Sequence, residues 1–316
     1  MSLENKVGGA HEYDDEIDLK ELFGILRAGK NLIITITAVF TISSVLFALW
    51  IPNQYKAIAV LAPAQSEDGG LSSALGQLGG LASLAGVSIG AGETTESQIA
   101  QEIMRSWSFI EAFIAENKLE VEIYAAEGWS KRSGKLKIDD DVYDTGNQVW
   151  LLEDDETNAL RPPTSWELFE QFDEMLSVSQ DKQSGLVSVS IEYYSPQTAK
   201  DWLDLYITTI NKHMQVRQVA KVSRNISYLE EQIAKTSIAE MREVFYTIIE
   251  EQTKNKMLAE ASPDYAFVAV SPSMVPEEKS KPGRALICVL GVLLGVGLGV
   301  VILIIRHYYA RSKSTD

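Results

Sequence analysis

Two stretches of 21 residues, 31–51 and 285–305, carry no charged side chain. As α-helices rising about 1.5 Å per residue, each is roughly 31 Å long, matching the hydrocarbon core of a bilayer. Backbone amides find no water partner inside lipid, so such runs close their hydrogen bonds within a helix. A signal peptide is the competing reading of the first run. Against it, the segment from Glu12 to Glu21 is acidic and Phe47-Ala-Leu-Trp-Ile-Pro52 lacks a small-x-small cleavage site. A buried core helix competes for the second, but its length and the Arg306-His-Tyr-Tyr flank are those of a span.

Two spans divide the chain into a tail (1–30), transmembrane helix 1 (31–51), a body of 233 residues (52–284), transmembrane helix 2 (285–305) and a second tail (306–316). Lys20, Arg27, Lys30, Arg306, Arg311 and Lys313 flank the outer ends of the spans, against Lys56, Lys279, Lys281 and Arg284 on the body side. The positive-inside rule therefore predicts cytoplasmic tails and an external body. The body holds 21 Lys+Arg against 36 Asp+Glu, a balance of −15 that argues against nucleic acid as a partner. Hydrophobic residues make up 46% of the chain, too many for a disordered polymer. Cys288 is the only cysteine and falls inside the second run, so there is no disulfide framework.

Residues 71–91 are also free of charge but rich in glycine and serine. Glycine weakens helices and exposes backbone, which predicts a mobile loop with a short helix at Leu71, Leu75 and Leu78. A segment resting on the membrane or on a neighbouring subunit is the alternative. Residues 55–62 read as a strand ending at Pro63, and Ile99, Ile103, Trp107, Ile110 and Ile114 mark one amphipathic helix over 96–118. Residues 139–163 read as loop, followed by a capping box at Thr164-Ser-Trp-Glu167. Residues 176–179 and 186–191 alternate apolar and polar, a hairpin with one buried face.

Neither Gly nor Pro occurs over 197–260, which predicts a long helical arm. Its packing seam runs through Val222, Ile226, Leu229 and Ile233 and continues through Met241, Phe245 and Ile248. Ser237-Ile-Ala-Glu240 offers a helix restart and hence a hairpin; uninterrupted passage is equally allowed. An arm of this length needs a partner helix or another subunit to cover it. Residues 264–270 read as a return strand, and Pro272, Pro276 and Pro282 stiffen the approach to the second span, ending at Arg284. The expected architecture is α+β: two transmembrane helices flanking a mixed-sheet base with a long projecting helical arm.

These features, in this order, resemble the Wzz-type chain length determinants, the polysaccharide co-polymerases of Gram-negative inner membranes. The resemblance is carried by Asp15-Glu-Ile-Asp-Leu19, Tyr55-Lys-Ala-Ile-Ala59, Ser184-Gly-Leu-Val-Ser-Val-Ser-Ile191, Ser195-Pro-Gln-Thr-Ala199, Tyr228-Leu-Glu-Glu-Gln232, Val270-Ser-Pro-Ser-Met-Val-Pro276 and a glycine-rich second span. It implies a periplasmic base assembled as an oligomeric ring or bell. Such an assembly sets the modal length of O-antigen, in lipopolysaccharide biosynthesis, or of a related polysaccharide made by a membrane polymerase. Some relatives add a cytoplasmic kinase after the second span, for which residues 306–316 leave no room.

No catalytic constellation, cofactor motif or metal-ligand spacing emerges. His11, His213 and His307 fall on the first tail, the arm and the post-span flank. Phosphate-loop and nucleophile-elbow patterns are missing from the sequence. The acidic clusters at 139–141 and 153–156 lack the spacing of a calcium site or a glycosidase pair. The second span does carry a packing signal, since Gly291, Gly295 and Gly299 share one helical face. Thr37, Thr41, Ser44 and Ala48 form a small-residue stripe on the first. The contact they predict is with each other, another subunit or the polymerase. A basic cluster, Lys131, Arg132, Lys135 and Lys137, reads as a solvated turn or as a local counterweight to the acidic body. The expected function is a non-enzymatic homo-oligomeric scaffold in the inner membrane, engaging the bilayer, a polysaccharide polymerase and the nascent lipid-linked glycan. A periplasmic export adaptor and a two-span sensor are the alternatives.

Overall fold

The computed structural model describes residues 27–64, 96–154 and 159–312. The tail motif at 15–19, His11, the 71–91 stretch and residues 155–156 of the second acidic cluster lie outside the described residues. The chain divides into two units, Met1–Ile51 with Pro282–Asp316, and Pro52–Lys281.

The first unit pairs two apolar helices, α1 (Lys30–Trp50) and the last helix of the chain (Arg284–Ser312). Both are long and apolar enough to cross a membrane, and Leu46 and Leu293 are exposed, as large side chains facing lipid require. The hydroxyls of Thr35, Thr41 and Ser44 donate to the carbonyls of Asn31, Thr37 and Thr41 at 2.7–2.8 Å, so these polar groups are satisfied within their own helix. The Arg284 guanidinium donates to the Ala48 carbonyl at 3.0 Å. That bond satisfies one of the four carbonyls that a helix C-terminus leaves open and sets a cation at the negative end of α1.

The second unit is built on a four-stranded sheet. It contains β1 (Tyr55–Pro63), helices α2 (Glu96–Met104), α3 (Trp107–Asn117) and α4 (Glu120–Tyr124), and three small ladders. These ladders pair β2 (Ala126–Ser130) with β3 (Lys135–Ile138), β4 (Tyr143–Asp144) with β5 (Val149–Trp150), and β6 (Leu152–Glu153) with β7 (Leu160–Arg161). There follow α5 (Ser165–Met175), β8 (Leu176–Gln180), β9 (Val187–Tyr193), α6 (Pro196–Lys235), α7 (Ala239–Ala261) and β10 (Phe267–Ser271); the last helix of the chain is α8.

The sheet order is β10-β1-β9-β8 and every neighbouring pair is antiparallel, not mixed as expected. The cause is the helical excursion between β9 and β10. α6 runs back across the sheet and α7 returns, so β10 starts at the end where β9 started and flanks β1 in the same direction as β9. The apolar alternation of β1 puts Ala57, Ala59 and Leu61 on one buried face, opposite Ile191, Val189 and Val187. The buried side of α6 covers that face with Ala199, Leu203, Tyr206 and Ile210.

An aromatic cluster fills the space between sheet and helices. Phe113, Phe172 and Tyr206 have ring centroids 4.8–5.5 Å apart, and Tyr193 meets Trp202 at 4.4 Å. Burial pushes both phenols up, and each keeps a carbonyl partner, Met104 for Tyr206 and Glu122 for Tyr193.

Two local expectations change, and of the two courses open to the helical tract the chain takes the broken one. The single helix over 96–118 is broken between α2 and α3, where the Ser106 hydroxyl and N–H both return to the Ile103 carbonyl and Arg105 reaches the Val178 carbonyl. The stretch 139–163 contains the β4–β5 and β6–β7 ladders. In the first of their turns the Asp144 carboxylate accepts from the N–H groups of Gly146 and Asn147 at 2.8 and 3.0 Å, which holds its carboxyl below the usual range. The helical tract breaks at 236–238, with Ile238 as N-cap of α7, unsupported by a side-chain cap. The capping box at Thr164 is formed, with Glu167 Nα–H donating to Thr164 Oγ1 at 3.2 Å and Thr164 N–H donating to Glu167 at 2.7 Å. Arg161 grips the same carboxylate through two 2.8 Å bonds, and the Glu167 carboxyl falls to about 2.

Candidate functional site

The α6–α7 hairpin and the α1–α8 pair are the two constructions that carry the packing residues singled out in the sequence. The hairpin starts from a strong N-terminus: Ser195 accepts from Thr198 N–H at 3.3 Å and Pro196 occupies the first turn. From there α6 runs 40 residues, about 60 Å. Its first half is buried against the sheet, and beyond Val222 it is exposed or half-buried.

Two carboxamides fix the point where the arm rejoins the body. Buried Asn211 donates from Nδ2 to the Phe267 carbonyl at 2.9 Å, while its Oδ1 accepts from Ala266 and Phe267 N–H at 3.0 and 2.8 Å. One turn later Gln215 donates from Nε2 to the carbonyls of Ala259, Glu260 and Ser262 at 2.9, 3.3 and 3.0 Å, closing the open C-terminus of α7. Together they tie the end of α7 and the start of β10 to a single face of α6. Sequence reasoning passed over both residues; the available signal was two carboxamides four apart among the apolar Ile210, Met214 and Trp202.

On the seam itself, Ile226, Leu229 and Ile233 are half-buried on α6, as is Phe245 on α7. Met241 and Ile248 are instead exposed, and Ile249, not singled out in the sequence, takes the half-buried position one turn after Phe245. Ala259 is the only buried residue of α7. The outward face of that helix carries Tyr246, Met257 and Leu258 and two shallow grooves, one around Arg242, Glu243 and Tyr246, the other around Lys254, Met257 and Leu258.

In the paired helices, Gly291, Gly295 and Gly299 face α1. A Cβ on Gly295 would lie 2.9 Å from Thr37 Cα and 3.0 Å from Phe40 Cβ; on Gly291, 2.5 Å from Ser44 Cβ; on Gly299, 3.2 Å from Ile33 Cα. Gly297 has nothing within 4 Å. Gly29, unremarked in the sequence, is tighter still, since its Cβ would collide with Leu303. The proline segment is shared between the units. After Pro272, Ser273 bonds Asp204; beyond Pro276, Ser280 N–H donates to the Gln54 carbonyl at 2.8 Å and Lys281 pairs with Glu192 at 2.5 Å. Pro282 and Arg284 open the second span.

His213 stacks edge-on against Phe109 at 5.4 Å, and burial lowers its pKa, with Arg217 adding to the effect. Among the described residues no group of three or more His, Cys, Asp or Glu gathers as metal ligands.

Residues 15–117 match the family model described as Wzz, chain length determinant protein. Over these residues the chain is similar to the Wzz chain length determinants. The Wzz match takes in α1, β1, α2 and α3 and ends before the arm. Among solved structures, a full-length bacterial polysaccharide co-polymerase aligns over 93% of this chain and 99% of its own, at 14% identity and a TM-score of 0.38. A fragment of WzzB, the polysaccharide co-polymerase from Salmonella Typhimurium, aligns over 72% of this chain and 100% of its own, at 11% identity and a TM-score of 0.28. At such scores these alignments carry no argument, and the likeness to Wzz rests on the match over 15–117. No curated protein matches the chain.

Proposed function

We propose that the chain is a non-enzymatic chain length determinant of the bacterial inner membrane. Its tails are cytoplasmic and its body periplasmic. Copies assemble into a ring or bell that scaffolds a membrane polymerase and sets the modal length of O-antigen or a related surface polysaccharide. The observation that carries this reading is the Wzz match over 15–117, on a chain whose two apolar helices bracket one α/β body.

Self-association is supported by α7, whose outward face has no partner among the described residues. In this reading Gly291, Gly295 and Gly299 hold the two spans together, and the hairpin residues Ile226, Leu229, Ile233 and Phe245 stiffen the arm. Met241 and Ile248 face neighbouring copies. The acidic body repels acidic polymer, so it steers elongation through the polymerase rather than by gripping the glycan.

A gel of surface polysaccharide from cells with and without the gene is the test. Loss of the gene turns a clustered ladder into a broad one. An unchanged ladder refutes the proposal, and disappearance of all surface polysaccharide makes the chain an export adaptor instead.

A further inference from the structure

We propose that the β2–β3 hairpin is a docking surface for anionic phospholipid headgroups of the bilayer that α1 enters. The hairpin carries Lys131, Arg132, Lys135 and Lys137, all exposed, on a body that is otherwise strongly acidic. Among the described residues none of these four cations forms an ion pair. The tight turn between the strands puts Gly134 at a φ of 67° and closes with Gly134 N–H donating to the Ser130 carbonyl at 2.8 Å. That conformation suits glycine and holds the tip cations on a defined turn.

The ladder has two unlike faces. Trp129 lies opposite Leu136 and faces the body: its ring meets Tyr55 edge-on at 6.0 Å, and Leu136 packs on the core. Alternation sends Lys135 and Lys137 to the other side, where both are exposed. The basic face is thus presented on an anchored platform. Glu127 and Asp139–Asp141 have the opposite sign but belong to the open end of the hairpin, away from the turn.

The address of the hairpin in the chain selects the partner. A Cβ on Gly128 would lie 3.8 Å from Lys137 Cδ and 3.8 Å from Pro52 Cβ, so Lys137 and Pro52 flank one point. Pro52 is bonded to Ile51, the end of the first uncharged run, and neighbouring Cα atoms are about 3.8 Å apart. Whatever the orientation of the body, Lys137 therefore stays close to the place where the chain leaves the lipid. At about 3.3 Å per residue the backbone of Lys135 is roughly 7 Å further along, and the turn follows. The potential of an anionic leaflet decays over a Debye length, about 8 Å at physiological salt, and acts on basic residues held within it. A tethered site also meets headgroups at high effective concentration, which a soluble acidic glycan does not match.

The inference rests on residues 30–50 being a membrane span. It is tested with the full chain in nanodiscs of phosphatidylcholine, alone or mixed with phosphatidylglycerol, by amide hydrogen exchange over residues 130–137. Exchange is expected to slow about threefold or more in the phosphatidylglycerol discs. High salt should abolish the difference, as should the variant K131S/R132S/K135S/K137S with exchange in β1 and β9 unchanged. Should that variant loosen β1 and β9, Lys135→Gln with Lys137→Gln decides in its place. Equal exchange in the two discs overturns the proposal. So does protection in phosphatidylcholine discs on adding an acidic polysaccharide without any response to phosphatidylglycerol, which assigns the hairpin to glycan. A chain that fails to enter discs overturns the span reading and this inference with it; normal insertion with no lipid response overturns this inference alone.

Discussion

Asn211 is 2% exposed, yet its amide makes three hydrogen bonds, one given to the Phe267 carbonyl and two taken from Ala266 and Phe267 N–H. A buried polar group without a partner costs its desolvation, about 1–3 kcal/mol each. Asn211→Ala strands three backbone groups at once, and water entering the space left by the side chain relieves part of the loss. The expected cost is about 2–4 kcal/mol, read as a fall in the urea midpoint of unfolding of the detergent-solubilised chain. Unfolding within error of wild type would show that β10 is held without the clamp. The partners of Asn211 are 55 and 56 residues away in sequence, which is why its duty could not be read there. Thr164 and Glu167, three residues apart, announce their reciprocal bonds in the sequence because both partners are local.

The same distinction governs whole elements. The β8–β9 hairpin and the strand β1 are legible because alternation and turn residues act over a few positions. The break between α2 and α3 is not, since Arg105 finds the Val178 carbonyl 73 residues away. Nor does any local pattern say that two helical legs return the chain to make an antiparallel sheet. The span pair stands between these cases: glycines every fourth residue mark a close-packing face, but not the helix that meets it. Here it is α1, so Gly295→Leu must push Thr37 backbone away, whereas Gly297→Leu points into open space. The first variant should widen the α1–α8 separation, read by a spin-label pair across the two helices, and lower the melting temperature in detergent. The second should do neither. Equal behaviour of the two would remove the glycine face as the basis of pairing.

For the molecule as a whole the question is what covers α7. Tertiary packing, rather than helix propensity, holds most helices in place, and α7 buries one residue of its 23. Its outward face presents Met257 at 64% and Leu258 at 45% exposure, with Arg242, Glu243, Glu250 and Lys254 supplying both signs of charge along the same side. An apolar patch rimmed by mixed charge is what one copy offers to another, and in such interfaces a few central apolar anchors dominate the energy. Met257→Glu combined with Leu258→Glu sets two carboxylates into that patch. Because both positions are exposed in the single chain, the urea midpoint of the body should move by less than about 0.5 kcal/mol equivalent. The particle mass in detergent, measured by light scattering, should fall toward that of a single copy, and the polysaccharide ladder should broaden as it does without the gene. An unchanged mass would clear the α7 face of any role in assembly. A reduced mass beside a still-clustered ladder would separate assembly from length control, because single copies would then suffice to pace the polymerase.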